Sequence, residues 1–188
     1  MSTPSSPSIR VLLVDDHAML RQGLATFLKV FDDLELAGEA ASGEEAIQLC
    51  AQVLPDVVLM DLVLPLQPGT EPSDQGGVQA TRMIRQISPR TQVVVLTSFT
   101  EDELIFAAIK AGALGYLLKD ASPQELLRSI RDVYHGEPSL QPTIAHKVMR
   151  ELQRESNLPP TEEPLTEREE EVLVLVAQGL SNKDIADK

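Results

Sequence analysis

The sequence predicts an α/β fold, a doubly wound parallel sheet of five strands, followed by a linker and an incomplete all-α segment. Two observations lead there. Short apolar runs alternate with stretches of helical periodicity, which is the pattern of βαβ units. Several runs also close on side chains that packing does not require. Ile9-Arg10-Val11-Leu12-Leu13-Val14 closes on Asp15 and Asp16, and Val57-Val58-Leu59-Met60 closes on Asp61. In an open parallel sheet the carboxyl ends of the strands share one crevice, and ligands bind in it.

Each element has its own signal. After the first strand, Leu20, Leu24, Phe27 and Leu28 recur at helical spacing and form a buried stripe. Met19 and Val30 fall off that stripe and read either as rim residues or as a partner surface. Leu34 to Ala40 is the second strand. Ser42-Gly43-Glu44-Glu45 has the form of a capping box and opens a helix to about Gln52. Pro55 precedes the third strand, and a helix from about Gly77 to Ile87 leads through Ser88-Pro89-Arg90 to the fourth. That strand, Val93-Val94-Val95-Leu96, closes on Thr97. Glu101 to Ala111 is the next helix, with Gly112 as its C-cap. Gly115-Tyr116-Leu117-Leu118 closes on Lys119. Ser122 as N-cap, Pro123 at the first helical position and Glu125 three residues after the cap open a helix to about Tyr134.

Pro142 to Leu152 reads as one more helix. Residues 155–164 hold three prolines and almost nothing apolar, so an extended linker is expected. Thr166-Glu167-Arg168-Glu169 repeats the capping-box form, Val172, Leu173, Leu175 and Val176 supply a stripe, and Gly179 ends that helix. Ser181 with Asp184 starts another. The predicted division is a disordered tail at 1–8, an α/β domain at 9–135, a connecting helix at 136–152, a linker at 153–164 and an all-α segment at 165–188.

Composition narrows the function classes. A hydrophobic share of 43% and a charged share of 24% describe an ordinary globular chain. The net charge of −13 argues against broad binding to nucleic acid or anionic membranes by the whole chain, though not against a local basic patch. Cys50 stands alone, so neither an intrachain disulfide nor a cysteine metal site is expected. The polar, proline-rich N-terminus has no signal-peptide core, and no segment reaches the ~18 apolar residues of a membrane span. A cytoplasmic protein without membrane contact is the expectation.

The strand-end residues carry the chemistry. Three carboxylates gathered in one crevice repel each other and must be paired, protonated or bound to a metal. Oxygen-only donors suit a hard divalent cation such as Mg²⁺. The Thr97 hydroxyl and the Lys119 ammonium join the same edge, which makes the set a phosphoryl site. A carboxylate oxygen can attack phosphorus, and phosphoryl transfer needs in-line placement and charge neutralisation more than covalent help. A lone strand-end Asp reads equally well as a cap; the partners decide. His17 follows the acidic pair, but a cation matched to carboxylates prefers oxygen, so a solvent-edge or capping role is favoured.

The order of these motifs from Ile9 to about Tyr134 resembles the receiver domain of two-component response regulators, whose fold is flavodoxin-like. Residues 164–188 resemble the start of a LuxR-type helix-turn-helix, and the combination is similar to the NarL/FixJ class. The resemblance implies phosphorylation of Asp61 by a sensor histidine kinase, with Mg²⁺ held by Asp16, Asp61 and the Val63 backbone carbonyl, and by Asp15 directly or through water. It implies that Thr97 and Lys119 hold the phosphoryl group and that Tyr116 is either a switch ring or simply a buried one. Homodimerisation on phosphorylation is implied through the Met19 to Val30 side and the Ser122 to Tyr134 helix. Val63 and Phe99 occupy positions that flank the approach of a hydrolytic water, and neither can hydrogen-bond one.

Two departures from the family go with this. From Leu62 to Gly77 the chain carries three prolines and three glycines, a loop about eight residues longer than the family's if Gly77 is the equivalent glycine. It reads as a cover for the site, as a docking determinant or as a tolerated insertion. The chain also stops at Lys188, about two turns into the last helix, where the resemblance would continue with a recognition helix. The segment present is acidic, so DNA binding is expected of the complete protein and not of this chain. A receiver acting only through protein contacts is the alternative. A turning-over aspartyl-phosphate phosphatase is disfavoured, because such enzymes place the nucleophile on the first strand with a second acid two residues on. No enzyme activity beyond self-phosphorylation and dephosphorylation is expected.

Overall fold

A computed structural model describes residues 8–157. The linker beyond Asn157 and the expected partial helix-turn-helix at 165–188 lie outside the described residues, as does the tail through residue 7. The strands are β1 Ile9–Val14, β2 Leu34–Ala40, β3 Val57–Met60, β4 Gln92–Thr97, β5 Gly115–Leu118 and β6 Ser139–Leu140. All pair in parallel, in the order β2-β1-β3-β4-β5-β6.

Alternate residues of the central strands pack on opposite faces. Val11, Leu13 and Leu59 meet Leu28, Ile130 and Val133, whereas Leu12, Val14, Val58 and Met60 meet Ala46, Cys50 and Ile84. Helices α1 (Ala18–Leu28) and α5 (Pro123–Tyr134) therefore cover the first face. Helices α2 (Gly43–Val53) and α3 (Gly76–Ile87) cover the second. A third cluster joins α4 (Asp102–Lys110) to Val95 and Tyr116. Strands buried on both faces read as unbroken apolar runs, and each buried Leu or Ile contributes ~1.5–3 kcal/mol.

Both expected helix starts form. In α5 the Glu125 amide donates to Ser122 Oγ at 3.2 Å, and the Ser122 amide donates to Glu125 Oε2 at 2.7 Å. In α2 the Glu45 amide donates to Ser42 Oγ at 3.3 Å, but the Glu45 carboxylate accepts from the Ala41 amide instead of the cap's own.

Two expectations need correction. The sheet has six strands, not five: Ser139–Leu140 pairs with Gly115 and Tyr116. A two-residue strand between Pro138 and Pro142 is too short to show any period. The region expected as a connecting helix at 136–152 thus begins inside the sheet. Helix α6 (Pro142–Asn157) then runs past Leu152 into residues assigned to the linker. Nothing there stops a helix until Pro159. The first compact unit extends to Val148, past the expected boundary at 135, because Ile144 is buried in the cluster of Tyr116. The second unit begins at Met149, and its described part is the rest of α6.

β1 has β2 on one side and β3 on the other, so the chain reverses its winding direction at β1. Loops leaving β1 and β3 diverge there and open the crevice. Asp15 and Asp16 follow β1; Asp61 follows β3.

Candidate functional site

The acids converge as the strand ends predict. Oxygen atoms of Asp15, Asp16 and Asp61, with a ring nitrogen of His17, all lie within 4.8 Å of one another. Opposite donors around an octahedral cation with ~2.1 Å bonds are about 4.2 Å apart, so the group need draw in only slightly to hold a hard divalent ion. Asp16 Oδ1 is buried without a hydrogen bond. His17 Nδ1 lies 2.7 Å from it, at ion-pair distance but not aligned as a donor. His17 is the N-cap of α1 by position only: its side chain is exposed and makes no cap bond, while its amide donates to Asp15 Oδ1 at 2.8 Å.

Lys119 reaches in from the end of β5. Its ammonium donates to Asp61 Oδ2 at 2.6 Å and lies 2.8 Å from Asp15 Oδ2. Asp15 and Asp61 are almost wholly buried, at 3% and 4% exposure. Burial pushes the Asp61 carboxyl above its ordinary range, the Asp15 charge adds to this, and Lys119 only partly opposes it. For Lys119 burial works against the charge, but bonds to Asp15 and Asp61 outweigh it and hold the ammonium above its usual value. Burial and a like-charged neighbour make the ionised Asp61 costly, and a divalent cation would relieve that cost.

Thr97, at the end of β4, is fully buried and its hydroxyl has no hydrogen-bond partner. An unsatisfied buried hydroxyl costs about 1–3 kcal/mol, which leaves Thr97 a free donor at the end of β4. The neighbouring Tyr116 is also fully buried, and its hydroxyl donates to the Phe99 carbonyl at 3.0 Å. Burial raises the phenol's pKa, with the Glu101 and Asp61 charges adding to it, so the hydroxyl stays a donor. Val63 and Phe99 are both half-buried. The Val63 amide approaches Asp61 Oδ1 at 3.4 Å.

The enlarged loop is anchored at its stem. Leu62 and Leu64 are fully buried, and Leu64 bridges to Ser73. The Pro65 and Leu66 carbonyls accept from the Gly43 and Glu44 amides at the start of α2, at 2.9 and 2.7 Å. Gly77 is required by close approach: a Cβ there would lie 2.1 Å from the Asp61 carbonyl oxygen. The tip, 67–75, is exposed.

Sequence reasoning missed three residues around the site. Arg21 donates to the Asp15 carbonyl at 2.5 Å and pairs with Glu39 at 3.4 Å. Gln141 accepts from the Leu118 amide at 3.2 Å. Lys147 binds the turn after β4. None belongs to a motif; each depends on a contact between distant parts of the chain.

Around α1, Met19 and Val30 are 88% and 72% exposed, as their positions off the stripe predict. The stripe itself is not fully covered. Leu20, Leu24 and Phe27 line a cavity of about 220 Å³ with Leu96, Lys119, Ala121, Pro123 and Leu126.

Residues 11–131 match the response regulator receiver domain family, and residues 163–188 match the LuxR family of bacterial regulatory proteins. The transcriptional regulatory protein LiaR of Bacillus subtilis (strain 168) is 41% identical over 180 residues, covering 96% of this chain and 82% of that protein. The response regulator protein VraR of Staphylococcus aureus (strain NCTC 8325 / PS 47) is 38% identical over 179 residues, covering 95% and 80%. A LuxR-family two-component response regulator from Aurantimonas sp. SI85-9A1 superposes with a TM-score of 0.68 at 33% identity, over 78% of this chain and 99% of that one.

Proposed function

Because the chain belongs to the two-component response regulators, with a receiver domain joined to a LuxR-type region, we propose that it accepts a phosphoryl group on Asp61 from a sensor histidine kinase. Its function is phosphorylation-dependent, DNA-binding regulation of transcription. The alternative of a receiver working through protein contacts alone is not favoured beside the LuxR-type match. Among the described residues no helix is long and apolar enough to cross a membrane, and we place the protein in the cytoplasm. Our domain assignment is a receiver through α5, a connecting β6–α6, a linker and a LuxR-type region from about 165.

The steps fall to named residues. An Asp61 oxygen attacks phosphorus, the bond from phosphorus to the donor's imidazole nitrogen breaks with its electron pair on nitrogen, and an acyl phosphate forms. Lys119, bonded to Asp61 and Asp15, turns its ammonium to the phosphoryl oxygens and opposes their negative charge. The unpartnered Thr97 hydroxyl donates a hydrogen bond to them. Asp15, Asp16, Asp61 and the Val63 carbonyl would hold Mg²⁺, which would supply neutralising charge to the phosphoryl oxygens. Thr97 moves inward and Tyr116 follows as the switch ring. No turnover of a separate substrate is assigned to the site.

The observation that carries this reading is the 2.6 Å bond from Lys119 to a buried Asp61, beside a buried Thr97 hydroxyl with no partner. Incubating the chain with a small phosphodonor tests it. Phosphate should be incorporated with Mg²⁺ and not with chelator, and equal labelling in both would contradict the assigned metal site.

Two further outcomes are expected. Beryllofluoride, a phosphoryl mimic, should shift the chain from monomer to homodimer, since a bound anion biases a two-state surface. The exposed Met19 and Val30 and the open stripe of α1 support an α1–α5 contact. Unchanged sedimentation would count against it. The acyl phosphate should also be long-lived, because half-buried Val63 and Phe99 exclude water without binding it. Val63→Asn combined with Phe99→Glu should therefore hasten dephosphorylation. A decay as slow as in the unmodified chain removes the shielding role; the enlarged loop, whose stem docks on α2, would then be the remaining shield.

A further inference from the structure

The turn after β4 is held from two sides. From within, the Tyr116 hydroxyl donates to the Phe99 carbonyl at 3.0 Å. From outside, the Lys147 ammonium of α6 donates to the Thr100 carbonyl and lies 2.7 Å from Asp102 Oδ1. The turn begins at Thr97, the hydroxyl assigned to the phosphoryl group. The start of α6 is tied to β5 as well: the Gln141 amide reaches the Tyr116 carbonyl at 3.4 Å, and its side chain accepts from the Leu118 amide. Ile144 sits at 1% exposure among Leu104, Ile105 and Tyr116.

We propose that Lys147 is a latch that makes α6 sense the state of Asp61. This rests on the phosphoacceptor reading and adds the route by which that site reaches α6. Three features single out Lys147. Its acceptors include a backbone carbonyl, whose position changes whenever the turn moves; a side-chain acceptor could follow the ammonium by changing rotamer. Its second partner, Asp102, opens α4, so one ammonium spans the turn and the helix after it. The ion pair is partly exposed, at 30% and 36%, and is therefore weak enough for a local movement to break. The apolar seat of Ile144 keeps α6 on the unit, whereas the polar latch sets how firmly its first turns are held. When Thr97 moves toward a bound phosphoryl group, the turn carries the Thr100 carbonyl away, Lys147 lets go, and the first turns of α6 open more often.

Amide hydrogen exchange on the full chain tests this, with and without beryllofluoride and Mg²⁺. In the unmodified protein the mimic should speed exchange of the peptide 142–152 several-fold. Lys147→Ala should show the fast rate without the mimic and gain little from it. Lys147→Arg should restore the slow rate, since a guanidinium also reaches a carbonyl and a carboxylate. If the mimic alters exchange near Asp61 and Thr97 but not in α6, or if Lys147→Ala leaves α6 unchanged, the latch is overturned and the phosphoacceptor reading stands. If nothing responds near Asp61, both fall.

Discussion

Asp61→Asn is expected to abolish phosphate incorporation, by at least about 100-fold or ~2.7 kcal/mol in the barrier, while making the unliganded chain more stable at pH 7. The amide is nearly isosteric with the carboxylate but is a poor nucleophile. The stability gain follows from burial, which raises the Asp61 pKa above its ordinary 3.8 in spite of Lys119. A raised pKa means that the folded state binds the proton more tightly than the unfolded one. The stability linked to that proton is fully present below pH 3.8 and is lost as pH rises through the raised value. At pH 7 the ionised group therefore costs stability, and Asn removes that cost while Lys119 keeps Asp15 as a partner at 2.8 Å. Thermal melts should show Asp61→Asn above the unmodified chain by a few degrees at pH 7, with the gap closing on acidification. A less stable variant would contradict the electrostatic account, and a variant still phosphorylated in full would contradict the acceptor.

Lys119→Met should have the opposite effect on stability and a comparable one on chemistry. Its ammonium is the cation bonded to both Asp15 and Asp61. Removing one partner of a buried pair leaves uncompensated charge and costs about 3 kcal/mol. Loss of a preorganised donor to the phosphoryl oxygens should slow phosphorylation by about 10²–10³. The pKa of Lys119 is raised above 10.5, by Asp15 and Asp61 acting against burial. Its stabilising effect is thus present throughout the neutral range and is lost only as pH rises through the raised value. Denaturant titrations should find the difference from the unmodified chain intact at neutral pH and shrinking at the alkaline end. Phosphorylation at the unmodified rate would remove Lys119 from the mechanism.

Much of this was legible in the residues. Apolar runs closing on Asp15, Asp61, Thr97 and Lys119 identify strands and site at once, because a parallel sheet puts all its carboxyl ends at one edge. Ser122-Pro123 and Ser42 announce helix starts through their own chemistry. The need for glycine at position 77 was not legible, because it arises from a 2.1 Å approach of its Cβ position to the Asp61 carbonyl oxygen. Contacts between distant segments were not legible. The pairing of β6 with β5, the Lys147 bond to the turn after β4 and the docking of Pro65 and Leu66 on α2 leave no periodicity or cap signal. Helix α6 continues past Leu152 because a polar composition alone does not end a helix, and no proline falls within residues 143–157. His17 lies at the solvent edge, with its ring turned to Asp16 and no cap bond to α1.

The central claim is that the Asp61 carboxylate itself carries the phosphoryl group, and trapping the acyl phosphate tests it most directly. Borohydride reduces an acyl phosphate to an alcohol, so a phosphorylated Asp becomes homoserine, which tandem mass spectrometry locates. After incubation with a small phosphodonor and Mg²⁺, homoserine should appear at position 61 and at neither Asp15 nor Asp16. Homoserine at either of those positions, or phosphate that survives reduction on another residue, would contradict the account.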